Sequence, residues 1–463
     1  MAIPDHLDTS TVETLDDRLR GAVLCPGDDG YDDARTVWNA MIDRKPAVIA
    51  RCTGTADVIA AVDVARERDL LLSVKGGGHN VAGLAVCDDG LMIDLSQMNG
   101  VRVDPDARTA RVGGGAVWGD VDHETQAFGL ATTGGIVSST GVGGLTLGGG
   151  LGYLARKYGL THDNLRSVDV VTADGELVHA SEDENPELFW GIRGGGGNFG
   201  VVTSFEFDLH EVSEVLAGPI IHRYEDAAEA LRFYREFMTD APDEVQCYAV
   251  FGKGSPEMGL PEPLHGETVL LLLPCYAGPI ETGGEVLRPL REFGDPIVDA
   301  VEPMPYVALQ RMLDERNEAG HRNYWKSRNY RELTDEAIET LVDYCDSDAP
   351  FFSVFVEWME GAIGRADADA TAFPHRDKAF DISVLQLWSD PGRDDEYIGW
   401  AREFHEAMEP HAVDGVYVNY LDDDEAERVP EAYGERYERL VDLKNEWDPD
   451  NLFRMNQNIE PTV

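Results

Sequence analysis

The 463-residue chain is poor in several features that would assign a function at once. Its six cysteines, Cys25, Cys52, Cys87, Cys247, Cys275 and Cys345, show no CxxC or CxxxC spacing, which excludes a zinc ribbon or a disulfide framework and fits a reducing interior. No His, Cys and carboxylate set falls at metal-ligand spacing, so no metal is expected. No run of 18 apolar residues occurs, and the opening "MAIPDHLDTSTVETLDDRL" lacks the apolar core of a signal peptide. A soluble, cytoplasmic protein is the expectation. There is no GxxxxGK[ST], and no GxGxxG follows a strand, opens a helix and is trailed by an acidic residue, so both P-loop and Rossmann readings fail.

Basic charge is scarce as well. Eighty-seven acidic residues face 38 basic ones, giving a formal charge of −49 spread along the whole chain, and only seven of the 38 are lysine. Self-repulsion on this scale opposes compaction at low salt, whereas at about 1 M salt the Debye length falls to roughly 3 Å and the repulsion is screened. A high-salt cytoplasm, that of a halophile, is therefore expected. The same field repels phosphate backbones and anionic headgroups, so neither nucleic acid nor membrane is an expected partner.

Short strand patterns and glycine dominate residues 46–210. "TADVIAAVDVARERDL" has apolar residues at helical spacing behind a possible Thr55 cap, and "LLSV" reads as a buried strand. "VRVDPDARTARVGGG" and "SVDVVTADGELVHAS" are hairpins, while "WGDVDHETQAFG" and "NPELFWGIRG" are helical. Beyond about residue 213, "EVQCYAVFG", "ETVLLLLPCYAG" and "FFSVFVEWMEG" suggest one antiparallel sheet covered by helices on one face. "YGERYERLVDLKNEWDP" is a helix that Asp448 and Pro449 stop. The class is α+β.

Much of the chain's glycine falls in three tight clusters: "VKGGGHNVAG", "TTGGIVSSTGVGGLTLGGGLGYLARKYGL" and "FWGIRGGGGNFGVVTSFEF". Glycine lets backbone N–H groups approach a ligand closely, and a pyrophosphate is the natural guest. The first cluster also presents a lone His79. A single histidine is most often a hydrogen-bonded surface group, and no partner ligands make it a metal site. The chemical alternative is an imidazole nucleophile aimed at an electrophilic cofactor carbon.

Five ordered stretches, the three glycine clusters together with "GLMIDLSQMNGVRVDPDARTARVGGGAVWGDVD" and the terminal "YVNYLDD…YGERYERLVDLKNEWDPDNLFRMNQNI", resemble the berberine-bridge-enzyme-like flavoprotein oxidases of the vanillyl-alcohol-oxidase superfamily. The likeness runs from about Val37 to Ile459. It implies a two-part PCMH-type FAD-binding domain over 1–212, a substrate-binding domain over 213–410, and a C-terminal segment, 411–463, returning to the first. It implies FAD joined through its 8α carbon to His79. It also implies FAD contacts from Lys75, Gly76, Gly77, Gly78, Asn80, Val81 and Gly83, from Thr140, Gly141, Gly144, Gly149 and Tyr153, and from Val202, Asn456 and Asn458. Many members carry a second flavin link from the cysteine of "CPTVGVGG"; the stretch here is "VSSTGVGG", with Val137 in that place, so one link is expected.

The resemblance further assigns "YVNY" to the substrate, with Tyr420 as base and Tyr417 as a contact. A free phenol titrates near pKa 10 and needs a helper, either a cation, the flavin or a hydrogen-bond relay. The strand "AFDISVLQLW" could offer Asp381, Ser383 or Gln386. The implied activity is oxidation of a CH–OH group in a sugar or related alcohol, with hydride passing to flavin N5 and O2 accepting the electrons as H2O2. A flavin dehydrogenase, a tailoring enzyme for a secondary metabolite, and a flavin- or small-molecule-binding protein without turnover stay open. The sequence leaves oligomeric state undetermined.

Overall fold

A computed structural model describes residues 9–345 and 351–463. Three sheets of four or more strands organise the described residues. In the first, the apolar runs of Val48–Arg51, Leu91–Asp94 and Leu72–Lys75 pair in parallel, with Ala22–Leu24 antiparallel at one edge. Parallel strands in one sheet need a crossover, and the helix Thr55–Glu67 supplies it between the strands at 48–51 and 72–75, which flank the strand at 91–94. Thr55 is the first residue of that helix rather than its cap: Gly54 holds the cap position, and no side chain bonds the free N–H groups. The second sheet is antiparallel in the order 101–104, 109–113, 201–208, 165–171, 177–181, and includes both expected hairpins. The crossover helix lies between the two sheets, burying Val58, Ala61, Val62 and Ala65 with Ile93 of the first sheet and Val171 and Val201 of the second.

The third sheet is antiparallel throughout and holds the long strands Val245–Lys253, Thr268–Tyr276, Arg322–Tyr330, Phe351–Trp358 and Phe380–Trp388. Side chains alternate across a strand, so each face is set by parity. Cys247, Ala249 and Phe251, Val354, Val356 and Trp358, and Phe380, Ile382 and Val384 pack beneath the helices Ala227–Asp240, Ile280–Glu292, Asp335–Tyr344 and Asp394–Met408. The opposite parity, Tyr248, Val250 and Phe355, packs on Ala131, Tyr153 and Leu154 of the glycine-rich half. Glu357 and Asp381 share that second parity, which puts two carboxylates on the face turned away from the helices.

From Val416 the chain returns to the second sheet: Val416, Leu421, Tyr433, Leu440 and Ile459 join one apolar cluster with Trp190, Val168 and Phe205. The helix Tyr437–Trp447 ends at Asp448 as its sequence requires. Buried Asp448 then fixes the tail, accepting the Leu452 N–H at 2.8 Å, the Phe453 N–H at 2.9 Å and Lys444 Nζ at 2.6 Å. Asn198 clamps the next turn, donating to Gln457 O at 3.1 Å and accepting the Ile459 N–H at 2.9 Å.

Candidate functional site

A cavity opens where the three sheets and the tail converge. Its walls are the loop Gly76–Asn80 after the strand at 72–75, the short helix Val142–Gly148, the turn entering the strand at 201–208, the second-parity face of the third sheet, Tyr417–Tyr420, and the tail at 453–457. Two of the glycine loops touch through bare backbone: a Cβ on Gly77 would lie 2.4 Å from the Gly141 nitrogen, and one on Gly141 would lie 2.5 Å from the Gly77 nitrogen. At Gly144 and Gly197 an added Cβ meets nothing within 4 Å, so a side chain there would project into the space a ligand takes. This is a cradle kept open by missing side chains.

His79 stands at the rim of this cradle. Its ring stacks on Trp38 with centroids 5.0 Å apart and planes at 17°, and its Nε2 pairs with Ser139 Oγ at 2.8 Å. Burial lowers the imidazole to about 4, so the ring is neutral at neutral pH and keeps a lone pair. With Nε2 engaged by Ser139, Nδ1 is the nitrogen left without a bonded partner among the described residues.

Of the expected cofactor contacts, Gly76, Gly77, Gly78, His79, Asn80, Thr140, Gly141, Gly144, Val202 and Asn456 line the cavity, as do Tyr417 and Tyr420. Six do not. Lys75 turns its ammonium away to the carbonyls of Ala34 and Thr36, at 2.6 and 2.8 Å. Val81 is buried and lends its carbonyl to Asn39. Gly83, at φ +69°, packs on Ile42, and Gly149, at φ +136°, lies behind the Tyr417 ring. Tyr153 sits edge-on to Tyr248, one layer back. Asn458 lies beyond the lining, although its Oδ1, like that of Asn456, is buried without a hydrogen-bond partner. Val137 does line the cavity, so no thiol stands there.

On the sheet side, Tyr420 donates its hydroxyl to Glu357 Oε2 at 3.0 Å. The helper bonded to the phenol is thus Glu357 of the neighbouring strand, whereas the sequence offered Asp381, Ser383 or Gln386. Asp381 lies directly opposite Glu357 in the strand register, Ser383 shares its parity, and Gln386 has the parity of the helix-covered face. Burial, and then the charge of Asp381, push the Glu357 carboxyl above the usual carboxylate range; burial also raises Asp381. Burial followed by the two carboxylates raises the Tyr420 phenol, so it is a proton donor at rest. Tyr417 is held by two donors, the Gly150 N–H and Asn419 Nδ2, each at 2.8 Å, with its ring 4.9 Å from that of Tyr420. Trp325 meets Tyr420 edge-on at 5.7 Å, and Tyr248 completes an aromatic wall.

Glu357, Trp325, Tyr248, Asn419 and Ser139 were missed from sequence. One signal was available: Glu357 is the lone acid inside the apolar strand "FFSVFVEW", an unusual place for a carboxylate without a task. Among the described residues no cluster of metal-ligating groups occurs, and no helix is long and apolar enough to cross a membrane. All six cysteines are buried, and none is joined in a disulfide.

The residues fit FAD. The open glycine cradle accepts a diphosphate on backbone N–H groups, the unpartnered Asn456 carbonyl is an acceptor for a ring N–H, and the aromatic wall matches a flat ring system.

Residues 46–181 match an FAD binding domain, and residues 416–460 match the berberine and berberine-like segment. The chain is 34% identical to (R)-6-hydroxynicotine oxidase of Paenarthrobacter nicotinovorans over 96% of its own length and 97% of that protein. The crystal structure of 6-hydroxy-D-nicotine oxidase from Arthrobacter nicotinovorans superposes with a TM-score of 0.85 at 30% identity, covering 96% of this chain and 98% of that one. A glucooligosaccharide oxidase from Acremonium strictum, which carries 6-S-cysteinyl, 8α-N1-histidyl FAD, gives a TM-score of 0.87 at 25% identity, covering 98% and 100%. With the sequence motifs, the cradle and these matches in agreement, the chain belongs to the berberine-bridge-enzyme-like, FAD-linked oxidoreductases.

Proposed function

We propose that the enzyme oxidises a CH–OH group of a sugar or related alcohol, with dioxygen accepting the electrons as hydrogen peroxide. The observation that carries this reading is the Tyr420–Glu357 hydrogen bond inside a cavity walled by aromatic rings. When bound, FAD supplies the acceptor for the hydride leaving the substrate carbon. The chain's residues supply the rest. Tyr420 takes the hydroxyl proton as it passes its own to Glu357, so a phenol that is no base by itself works as a relay. Tyr417, pinned by Gly150 and Asn419, holds one wall, and the faces of Trp325 and Tyr248 suit the apolar face of a sugar ring. His79, neutral and oriented by Trp38 and Ser139, is the residue proposed to bond the flavin, by a single link because Val137 replaces the second nucleophile.

A second reading has its own support. Among the described residues no lysine or arginine lines the cavity, and the relatives at 30% identity or above include a hydroxynicotine oxidase, so an amine or N-heterocycle is the alternative donor. An anaerobic screen of sugars, alcohols and amines, following bleaching of the flavin, decides between them. Bleaching by amines alone overturns the alcohol reading, and bleaching by none of the three classes favours a binding protein without turnover. Peroxide release under air separates oxidase from dehydrogenase. The acidic composition and the cysteines without disulfides support a reducing, high-salt cytoplasm as the place of work.

A further inference from the structure

Glu357 and Asp381 face each other across neighbouring antiparallel strands, side by side on the cavity face, and both are buried, with Asp381 wholly inaccessible. Their hydrogen bonds are unequal. Glu357 Oε2 accepts from Tyr420. Asp381 Oδ2 accepts from Ser327 Oγ at 2.6 Å and from Asn329 Nδ2 at 3.0 Å, while Asp381 Oδ1 is buried with no partner. A carboxylate with an unsatisfied buried oxygen, beside a second carboxylate, is costly when both are ionised, and a proton on the pair relieves the repulsion.

We propose that Glu357 and Asp381 hold one proton between them and receive a second, the substrate's, through Tyr420, so that Asp381 is a positioning residue setting the proton affinity of Glu357. This rests on the reading of Tyr420 as the group that takes the hydroxyl proton. The step balances. The substrate O–H bond breaks and its proton joins Tyr420 Oη; the Tyr420 O–H bond breaks and that proton joins Glu357; two electrons and the second hydrogen leave the substrate carbon as hydride. The pair passes from one proton to two, and from a charge of about −1 to 0. The stored proton leaves when dioxygen, taking up two electrons and two protons, departs as hydrogen peroxide.

The pair is electrically isolated enough for this. Tyr420, Tyr417 and Tyr248 lie on the cavity side with Glu357, while Tyr234 and Tyr330 act on the pair from the helix-covered side of the sheet; every one of these phenols is pushed upward by burial and stays neutral. The cation acting on Asp381 is Arg428, already paired with Glu425 and Glu431. No neighbour acting on the pair therefore changes charge near neutrality. Burial raises both carboxyls, consistent with a shared proton persisting there.

The test is a pH titration of the holoenzyme, read by the infrared carbonyl band of protonated carboxyl groups and by the flavin absorbance. No substrate is needed. The raised carboxyls of Asp122 and Asp422 contribute equally to every variant and cancel in the differences. The unaltered enzyme should lose the pair's protons in two separated steps, the upper lying above neutral pH. Asp381→Asn and Glu357→Gln should each leave one step, about 1–2 pH units below that upper one. Either variant serves if the other does not fold. Tyr420→Phe removes a donor to the ionised form and should shift the upper step the opposite way, to higher pH. If Asp381→Asn superposes on the unaltered titration while Glu357→Gln removes a step and Tyr420→Phe moves it, the shared proton is refuted and the Tyr420 relay stands. If Tyr420→Phe leaves the titration unmoved while the carboxyl variants shift it, the relay through Tyr420 is refuted.

Discussion

Ser139→Ala isolates how the fold prepares His79 for its proposed bond to the flavin. The substitution removes a 2.8 Å partner of Nε2 and leaves the Trp38 stack, the glycine loop and burial unchanged. A neutral hydrogen bond of this kind contributes about 0.5–1.5 kcal/mol net, a factor of about 2–10 in the population of the ring orientation and tautomer that leave Nδ1 free to attack. Protonation is not the control at neutral pH, because the imidazole titrates at about 4. The sign follows directly: below pH 4 the ring is cationic and inert, above it the ring is neutral and nucleophilic, so flavinylation should rise through that range and be flat from about pH 6 upward. The assay is the rate at which flavin-starved protein, given FAD, acquires colour that survives acid precipitation and a matching mass increase of the denatured chain. Ser139→Ala should reach full incorporation about 2–10-fold more slowly, and His79→Ala should never retain colour. An unchanged Ser139→Ala rate refutes the orienting role. Denatured protein with no added mass in the unaltered chain refutes the link itself.

Four other outcomes are expected. An added Cβ at Gly144 meets no protein atom within 4 Å, so Gly144→Leu should fold with an unchanged melting temperature in flavin-free form, yet fail to retain FAD; normal flavin content would show that the cradle is not the binding surface. Val137→Cys places a thiol on the cavity wall and should add a second covalent link, detected as a changed flavin spectrum and as attachment that persists in His79→Ala; attachment lost in that double variant counts against the placement. Arg376→Met strands the largely enclosed Asp163 carboxylate, which Arg376 bonds at 2.5 and 3.0 Å, and should lower stability in urea by about 3 kcal/mol, part of it recovered by Asp163→Leu; a loss below about 1 kcal/mol would contradict a pair shielded from solvent. Lowering salt from about 2 M to 0.1 M should lower the melting temperature, because unscreened repulsion among the excess carboxylates outweighs exposed ion pairs worth about 0–1 kcal/mol each; a flat or opposite dependence would remove the case for a high-salt origin.

The sequence by itself determined the elements whose physics is local. Apolar runs bounded by turn residues became the strands at 48–51, 72–75 and 91–94, turn chemistry at Asp104–Asp106 and Ala173–Gly175 became hairpins, and Asp448 ended the last helix. Glycine clusters marked the cradle because only glycine permits the Gly77–Gly141 approach, and a lone histidine between glycines was legible as a chemical group. Tertiary structure alone decided the contents of the cavity. Lys75 and Val81 neighbour true lining residues in sequence yet turn away, Lys75 to the carbonyls of Ala34 and Thr36 and Val81 into the buried interior. Glu357, 63 positions before Tyr420, becomes its partner where the returning chain packs against the third sheet, and Asp381 becomes the neighbour of Glu357 through strand register. Those pairings, and the burial that changes how the carboxyls hold protons, arise from packing between segments far apart in the chain, where no local pattern carries the information.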